Sequence, residues 1–377
     1  MNIYLIEPYL TGSHRSWAEG YARWSQHNVH LLTMPGYFWK WRMHGGAVTL
    51  AASLQAAFES DAPPELLLAT DMIDVTTLLA LTREYTAELP VAFYFHENQL
   101  TYPTQGRKLD LHYGWINYVS SLASQRILFN SHYHMEAWYD ELPRLLKHFP
   151  DFTHLETIAP LRSRSQVLYP GVALSRLDAP ANYPTLPPRG TAGLKPLILW
   201  NHRWEFDKKP EPFFDLLERL DQMGIDFRLA IAGESFRNKP TEFLDARKRF
   251  RDKIVHFGYA STEEYRALLQ RSDIVISTAI HEFFGIATVE AIYAGCCPLL
   301  PHRLSYPELL PPAWHERSLY RSFDDAFTCL RQWLTEGVPD TTSLRQQMGR
   351  FDWQRLAAEY DQLFEEFFVQ DKKAFKS

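Results

Sequence analysis

The chain has few cysteines and no long apolar run. Three cysteines occur among its 377 residues, two of them adjacent (Cys296 and Cys297) and one distant (Cys329). This number and spacing exclude a disulfide framework and a cysteine zinc site. No stretch approaches the roughly 18 consecutive apolar residues of a membrane-spanning helix. The N-terminus also lacks the basic start and apolar core of a signal peptide, so we expect a soluble protein of the reducing cytoplasm.

The chain also lacks a positive net charge and any Asp-x-Asp pair. Its formal net charge is −6, so an RNA partner would need a local basic patch. Without an Asp-x-Asp pair, the sequence does not indicate a divalent metal that bridges a diphosphate. We therefore expect no metal and no bound cofactor.

What the chain does contain is enough apolar sequence for two domains. Apolar residues make up 46% of it, and its length exceeds what one hydrophobic core usually supports. In the first half, short apolar runs alternate with helical patterns such as 47–58 and 75–89. This alternation predicts repeated βαβ units and a doubly wound parallel sheet. The predicted strands are 3–6, 30–32, 66–69, 91–95, 126–129 and 166–169.

A segment rich in proline and glycine, 178–194, has the composition of an inter-domain linker. It contains Pro180, Pro184, Pro187, Pro188, Gly190 and Gly193. After it the alternation restarts, with strands predicted at 197–200, 227–232, 253–257, 273–277 and 297–300. We therefore predict an α/β protein with an N-terminal domain over 1–177, a C-terminal domain over 195–352 and a cleft at the carboxyl ends of two sheets. Residues 353–377 are predicted to form a last helix that packs on a core and could return to the first domain.

Glu282 and Glu290 flank a predicted strand-to-helix turn. The apolar run 274–276 predicts a buried strand, and 286–293 predicts a helix. The amides of Gly285, Ile286 and Ala287 would be unpaired donors at a helix start, suited to an anion such as a pyrophosphate. The two carboxylates could then bind hydroxyls of a sugar and of a ribose. Two solvent-facing charges on an ordinary helix are the alternative.

Basic residues follow the first predicted strand of the second domain. Arg203 and Lys208 lie just past 197–200, where they could neutralise a leaving pyrophosphate, arginine by a bidentate contact and lysine as a point charge. Surface charges paired with Glu205 and Asp207 are the alternative. The glutamate pair in the same domain favours the anion site.

A polar block follows a buried strand of the first domain. His96 and residues 97–99 come directly after the apolar run 91–95, at the end of the strand that would face the cleft. His96 could hydrogen-bond a sugar or accept a proton from an acceptor near neutral pH. A histidine that only satisfies backbone groups is the alternative. Four further histidines could line the cleft, and no single one stands out: His14, His112, His132 and His134.

Residues 35–46 interleave aromatic and basic side chains between glycines. Such a segment, which we predict as a loop, can stack bases and contact phosphates as single-stranded RNA sites do. Arg15 and Arg23 could extend the patch. An apolar loop buried against its own domain is an equal alternative.

These features resemble the donor site of GT-B glycosyltransferases, in particular the retaining glycosyltransferase family four. The family's glutamate pair with seven intervening residues is matched at Glu282 and Glu290, and its Arg-plus-Lys signature at Arg203 and Lys208, with Lys209 as the alternative lysine. The resemblance implies two Rossmann-like domains that face each other across a cleft, and a metal-independent retaining reaction.

The same resemblance assigns roles to individual residues. Glu282 would contact the transferred sugar, Glu290 would hold the ribose, and Tyr259 would lie beside the nucleotide base. The residues implied for the nucleotide sugar are Arg203, Lys208, Tyr259, Phe284, Gly285, Ile286, Ala287 and Glu290. Those implied for catalysis are Arg203, Lys208 and Glu282, and the place of His96 after its strand adds it to the catalytic candidates.

A narrower resemblance, to the tRNA-queuosine α-mannosyltransferase family, covers nearly the whole chain. It rests on blocks at 7–14, 94–103, 129–131 and 304–309, of which His-Glu-Asn-Gln is the most specific. Relatives tend to carry two glycines before Ser-His, and Thr11 stands in one of these places. This leaves less room for a phosphate, so Gly12 and Ser13 are weaker candidates for binding the nucleotide sugar.

The resemblance implies transfer of mannose from GDP-mannose to the queuosine nucleoside of tRNA, without a membrane. One alternative is a GT-B enzyme that acts on a lipid, a glycan or a small molecule. A lipid acceptor would call for an exposed amphipathic basic helix in the first domain, and none is clear. The other alternative is a non-catalytic protein that binds nucleotide sugars or RNA, against which the charged residues of the donor motifs argue.

Overall fold

Two six-stranded parallel sheets organise the described residues of this computed structural model. It describes residues 1–60, 62–103, 108–148, 150–183, 185–233 and 241–374, and Pro184 of the predicted linker lies outside these ranges. The chain divides into two compact units, Met1–Ala173 with Phe351–Ser377, and Leu174–Arg350. Within the described ranges, no helix has both the length and the apolarity needed to cross a bilayer.

The first unit contains a sheet with the strand order β2-β1-β3-β4-β5-β6, and every pairing is parallel. Its strands are β1 (Asn2–Leu10), β2 (Asn28–Pro35), β3 (Leu66–Thr70), β4 (Val91–Phe95), β5 (Arg126–Phe129) and β6 (Ser165–Val167). Its helices are α1 (Gly12–Trp24), α2 (Trp39–Phe58), α3 (Val75–Leu81), α4 (Arg83–Thr86), α5 (Leu111–Leu122), α6 (His132–Leu146), α7 (Ile158–Ser163) and the C-terminal helix (Trp353–Ala374). Strands β3 and β4 are buried throughout, as expected where helices cover both faces of a parallel sheet.

The C-terminal helix packs against α1 within this unit. Trp353 is buried and lies against Gly20 and Gly171, where an added Cβ would come within 2.1 Å of the indole at either position. Tyr360 Oη accepts a hydrogen bond from Trp17 Nε1 at 2.9 Å. The two glycines therefore create the space that the indole fills.

Asp361 of the same helix binds the end of α1. Its carboxylate accepts hydrogen bonds from Tyr21 Oη at 2.9 Å, Ser25 Oγ at 2.6 Å and the Gln26 amide at 2.8 Å. A buried carboxylate is tolerated when hydrogen bonds replace its hydration. These three donors thus link the last helix to the first one.

The second unit repeats the architecture with the strand order β12-β11-β10-β7-β8-β9, again all parallel. Its strands are β7 (Leu197–Trp200), β8 (Arg228–Ala232), β9 (Ile254–Gly258), β10 (Ile274–Ile276), β11 (Cys297–Pro301) and β12 (Leu319–Tyr320). Its helices are α8 (Pro210–Gln222), α9 (Thr241–Arg249), α10 (Thr262–Arg271), α11 (Ile286–Tyr293), α12 (Tyr306–Leu309), α13 (His315–Ser318), α14 (Phe323–Glu336) and α15 (Thr342–Met348).

Two of the predicted elements differ from the structure for identifiable reasons. The loop predicted through 35–46 is wrong from Trp39 on, because α2 begins there and buries Met43. The helix predicted over 75–89 is interrupted at Thr82, whose Oγ1 donates to the Leu78 carbonyl at 2.8 Å. Such side-chain bonds compete with the helical ladder. The short edge strand β12 was not predicted.

Candidate functional site

The turn after β10 carries Glu282 and leads into α11, whose predicted extent of 286–293 is confirmed. Gly285 caps this helix at φ 97°, a left-handed conformation that favours glycine. The first amides of the helix, including Ile286 and Ala287, have no preceding turn of helix to bond. Together with the helix dipole they favour an anion at this end.

Lys208 is buried beside Glu282. Its Nζ lies 3.2 Å from Glu282 Oε2 and 3.1 Å from Asp207 Oδ2, and it donates to the His281 carbonyl at 2.8 Å. Burial disfavours the ammonium charge, but Glu282 and Asp207 outweigh it and raise the pKa of Lys208. Burial also opposes ionisation of Glu282, yet Lys208 lowers the pKa of that carboxyl. The pair is therefore charged at neutral pH.

Two histidines beside this pair are neutral. Burial and the charge of Lys208 lower the pKa of His202 and of His281 to about 4. A neutral imidazole offers one donor and one acceptor without adding charge. Neither histidine was singled out from the sequence, although each adjoins a residue of the charged motifs.

Glu290 lies in the second turn of α11, and two side chains bind its carboxylate. Oε1 accepts a hydrogen bond from Arg176, and Oε2 accepts one from Tyr265 Oη at 3.0 Å. Asn201 Nδ2 donates to Tyr265 Oη at 3.2 Å and to the Ala287 carbonyl at 2.9 Å. Arg176, Tyr265 and Asn201 were not predicted, because they join this network from parts of the chain distant from Glu290.

A cavity of about 390 Å³ borders this network. Its lining includes Arg176, Asn201, His202, Arg203, Gly233, Tyr259 and Tyr265. The predicted residues Arg203 and Tyr259 are both largely exposed on it. Gly233 is required at the end of β8, since an added Cβ would lie 2.1 Å from the His202 carbonyl oxygen. The guanidinium and aromatic groups of this lining suit a nucleoside diphosphate.

The segment 304–309 supports the turn that carries Glu282. Ser305 Oγ donates to the Phe284 carbonyl at 2.9 Å, and Tyr306 Oη is 2.6 Å from Ser277 Oγ. Tyr306 also lies beneath Gly285, where an added Cβ would be 3.6 Å from its ring. This block therefore positions the turn from the interior of the unit.

In the first unit, His96 belongs to a buried cluster of ionisable groups at the carboxyl edge of the sheet. Glu7 lies near the end of β1, Asp71 follows β3 and His96 follows β4, which are three neighbouring strands. His14 from α1 places its Nδ1 2.9 Å from Glu7 Oε2, and His96 Nε2 lies 3.7 Å from the same oxygen. The His96 amide donates to Asp71 Oδ1 at 2.8 Å.

The pKa values of His14 and His96 shift in opposite directions. Burial would lower the pKa of His14, but the Glu7 carboxylate overcomes it and raises the pKa of His14 to about 9. Burial and the charges of His14 and His134 lower the pKa of His96 well below its usual range. His14 is therefore a cation paired with Glu7. His96 is a neutral imidazole whose surroundings suit hydrogen bonding to a hydroxyl better than proton abstraction near neutral pH.

The same cluster has the composition of a metal-ligand set. Glu7, His14 and His96 offer three ligand atoms within 4.8 Å of one another, and imidazole with carboxylate suits zinc or iron. The His14–Glu7 hydrogen bond already accounts for the closest of these contacts without an ion.

The structure accommodates a threonine at position 11, before α1, where relatives tend to carry a glycine. Thr11 has φ −155°, an extended conformation that any residue adopts. Its side chain lies against Gly36, where an added Cβ would come within 2.4 Å of Thr11. A glycine after β2 thus accommodates the larger residue. Gly12, at φ 49°, and Ser13 lie in the first unit, and their contact with a diphosphate stays a prediction.

Comparison with known proteins identifies relatives of both halves. Residues 2–172 match the family described as tRNA-queuosine alpha-mannosyltransferase N-terminal, and residues 188–312 match glycosyl transferases group 1. The tRNA-queuosine alpha-mannosyltransferase of Drosophila melanogaster is 33% identical over 315 residues, 82% of each chain. A GDP-mannose:cellobiosyl-diphosphopolyprenol alpha-mannosyltransferase of Xanthomonas oryzae is 31% identical over 105 residues, 27% of this chain and 28% of the relative.

Solved structures share the fold over nearly the whole chain. A glycosyltransferase of Rickettsia africae has a TM-score of 0.67 at 14% identity, covering 97% of this chain and 98% of the other. Sucrose-phosphate synthase of Thermosynechococcus elongatus has a TM-score of 0.68 at 12% identity, covering 98% and 100%. The predicted fold class, GT-B with two Rossmann-like domains, is confirmed.

Proposed function

Because this chain belongs to the tRNA-queuosine α-mannosyltransferase family, we propose that it transfers mannose from GDP-mannose to the queuosine nucleoside of tRNA. The observation that carries the proposal is the 33% identity with the Drosophila enzyme across 82% of both chains. Relatives from Xanthomonas whose names specify GDP-mannose support the donor. The proposal includes a cytoplasmic location, where tRNA and nucleotide sugars meet.

In this proposal the second unit binds the donor. The diphosphate lies at the start of α11 and near Arg203, where amides and a guanidinium favour negative charge. The ribose hydroxyls donate to Glu290, whose carboxylate accepts hydrogen bonds from Arg176 and Tyr265 of the cavity lining. The mannose hydroxyls bind Glu282.

Lys208 keeps Glu282 ionised and oriented. The ammonium group of Lys208 donates to the His281 carbonyl and to Glu282, and it lies 3.1 Å from Asp207 Oδ2. It is buried among these groups, whereas Arg203 is largely exposed at the cavity. The geometry therefore supports Arg203 and the helix amides as the direct partners of the diphosphate.

The reaction exchanges one bond at the anomeric carbon of mannose. The bond to the diphosphate oxygen breaks, a bond to an acceptor hydroxyl oxygen forms on the same face, and the hydroxyl proton passes to the departing diphosphate. Charge grows on that diphosphate in the transition state, where fixed donors stabilise it most. Free GDP and mannosylated queuosine result.

The test uses the full-length protein, a panel of nucleotide sugars, and tRNA that carries either queuosine or guanosine at the same position. We expect one hexose to be added to the modified nucleoside, detected by mass spectrometry after digestion, with GDP-mannose as the donor. Glu282→Gln should abolish the product. Glu316→Gln is the matched control, because Glu316 is an exposed glutamate of the same unit. No hexose with any donor, or equal transfer to guanosine tRNA, would refute the proposal.

A further inference from the structure

The start of α2 exposes three large aromatic side chains. Tyr37, Phe38 and Trp41 are 67%, 81% and 64% exposed, and the basic residues Lys40 and Arg42 lie among them. We call these five residues the aromatic surface. Contiguous exposed apolar groups of this kind mark interaction sites.

The backbone of Phe38 has an unusual conformation at the start of α2. It caps α2 at φ 52°, a left-handed conformation that is unfavourable for a bulky residue. Its carbonyl accepts from the Trp41 amide at 2.8 Å and from the Arg42 amide at 3.1 Å. Arg42 Nε also donates to the Pro35 carbonyl at 3.1 Å. The start of the helix therefore fixes the backbone of Phe38, whose ring is exposed on the surface.

Trp41 presents one face of its indole to solvent. The ring packs against Gly45 one turn later, where an added Cβ would come within 3.1 Å of Trp41 Cε2. A glycine at this position lets the indole lie on the helix backbone. The open face is thus pre-organised, which limits the entropy lost when a planar group stacks on it.

The aromatic surface lies at the same edge of the sheet as Glu7 and His96. Strand β2 pairs with β1 up to Pro35 and Leu10, and α2 follows this end directly. Gly46 of α2 lies close to Pro8, the residue after Glu7. A Cβ added at Gly46 would be 3.0 Å from the Cβ of Pro8. The aromatic surface and the His96 cluster are therefore at the same end of the sheet in one unit.

We propose that the aromatic surface binds single-stranded RNA nucleotides next to the nucleoside that receives the sugar. Bases stack on Phe38 and Trp41, which any base can do, while Lys40 and Arg42 attract phosphates. This inference rests on the proposed function for the identity of the RNA. A lipid surface is less suited, because an interfacial helix needs an apolar stripe along its length. Here the exposed aromatic side chains lie at the start of α2, and among the described residues of this helix Val48 is the one other large apolar residue that is exposed.

The test measures binding of tRNA by mobility shift and kinetics of mannose transfer for Phe38→Ala, Trp41→Ala and the double variant. Each loss of a stacked base should weaken tRNA binding about tenfold and raise the KM for tRNA equally. The affinity for GDP and kcat at saturating tRNA should stay within about twofold of wild type. The combined substitutions Lys40→Gln and Arg42→Gln should make tRNA binding less dependent on salt concentration. The decrease should correspond to the loss of about one phosphate contact per residue.

Phe152→Ala is the matched control. Phe152 is also an aromatic residue of the first unit with 82% exposure and a left-handed φ of 46°, but it lies in the connection between α6 and β6, away from the α2 start. The inference fails if the double variant binds tRNA like wild type or like Phe152→Ala. Loss of binding to phosphatidylglycerol vesicles in place of tRNA would assign the surface to a membrane. Binding of tRNA is measured without turnover, so a failure of mannose transfer is distinguishable from a failure of this inference.

Discussion

Lys208 and Lys209 are adjacent in sequence but differ in surroundings. Lys208 directs its ammonium group to two carboxylates and a carbonyl, whereas Lys209 is partly exposed at the start of α8. We expect Lys208→Gln to reduce kcat for mannose transfer about a hundredfold, because Glu282 loses the charge that orients it. Lys209→Gln should change kcat less than about threefold. Steady-state kinetics with circular dichroism as the folding control would measure this, and the reverse order would assign the role to Lys209.

The pairing of His14 with Glu7 makes stability depend on pH. The pKa of His14 is raised from 6.5 to about 9, so the folded state binds the proton more tightly than the unfolded state does. The resulting stability, roughly 3 kcal/mol, is complete below pH 6.5 and is lost as the pH rises through about 9.

We therefore expect the melting temperature of the first unit to fall between pH 6.5 and 9. Glu7→Gln should remove most of this fall, since the cation then has no partner. Thermal unfolding across the pH series tests the pair. An equal fall in Glu7→Gln would mean that other groups control it.

At the residue scale, the sequence could predict the groups whose spacing is fixed along the chain. Glu282, Gly285 and Glu290 share one turn and one helix, so their arrangement follows from local structure. Arg176 reaches Glu290 from a distant part of the chain, and no local pattern carries that information. His14 and Glu7 are close in sequence, but their contact depends on how α1 packs at the end of β1.

At the scale of elements, the contact between α1 and the C-terminal helix has no spare volume. An added Cβ at Gly20 would lie 2.1 Å from Trp353 Nε1, so Gly20→Ala must displace the indole. We expect a loss of about 2 kcal/mol of unfolding free energy, as overpacking of cores gives. Denaturant unfolding would measure it.

Gly349→Ala is the control for that measurement, because φ is −54° there and no heavy atom lies within 4 Å of an added Cβ. Equal stability of the two alanine variants would show that the C-terminal helix can shift to admit the methyl group.

The strands were easier to predict than the helices. Buried parallel strands such as 91–95 and 197–200 are continuous apolar runs, and both have their predicted bounds. The start of α2 was missed because aromatic and glycine residues disfavour a helix locally. Packing of Met43 in the core and of Gly46 against Pro8 compensates.

At the scale of the whole molecule, the first unit is discontinuous along the chain. It comprises Met1–Ala173 and Phe351–Ser377, with the second unit inserted between them. A chain that ends at Arg350 would lack the partners of Trp17 and Tyr21 on the C-terminal helix. We expect calorimetry of this chain to lose the transition of the first unit, while GDP still raises the melting temperature of the second. Two unchanged transitions would contradict this.

The fold class could be predicted from the sequence because strands and helices alternate along both halves of the chain. Two parallel sheets need this alternation. The sequence predicted the C-terminal helix, and its packing on the first unit was one of the possibilities. An amphipathic helix does not specify the surface that it covers.

The return of the chain also sets an order of events during synthesis. The ribosome releases all of 174–350 before it releases Trp353, Tyr360 and Asp361, which complete the core around α1. The first unit, whose synthesis begins first, therefore completes its core last. While translation proceeds, the uncovered face of α1 is a natural target for chaperones.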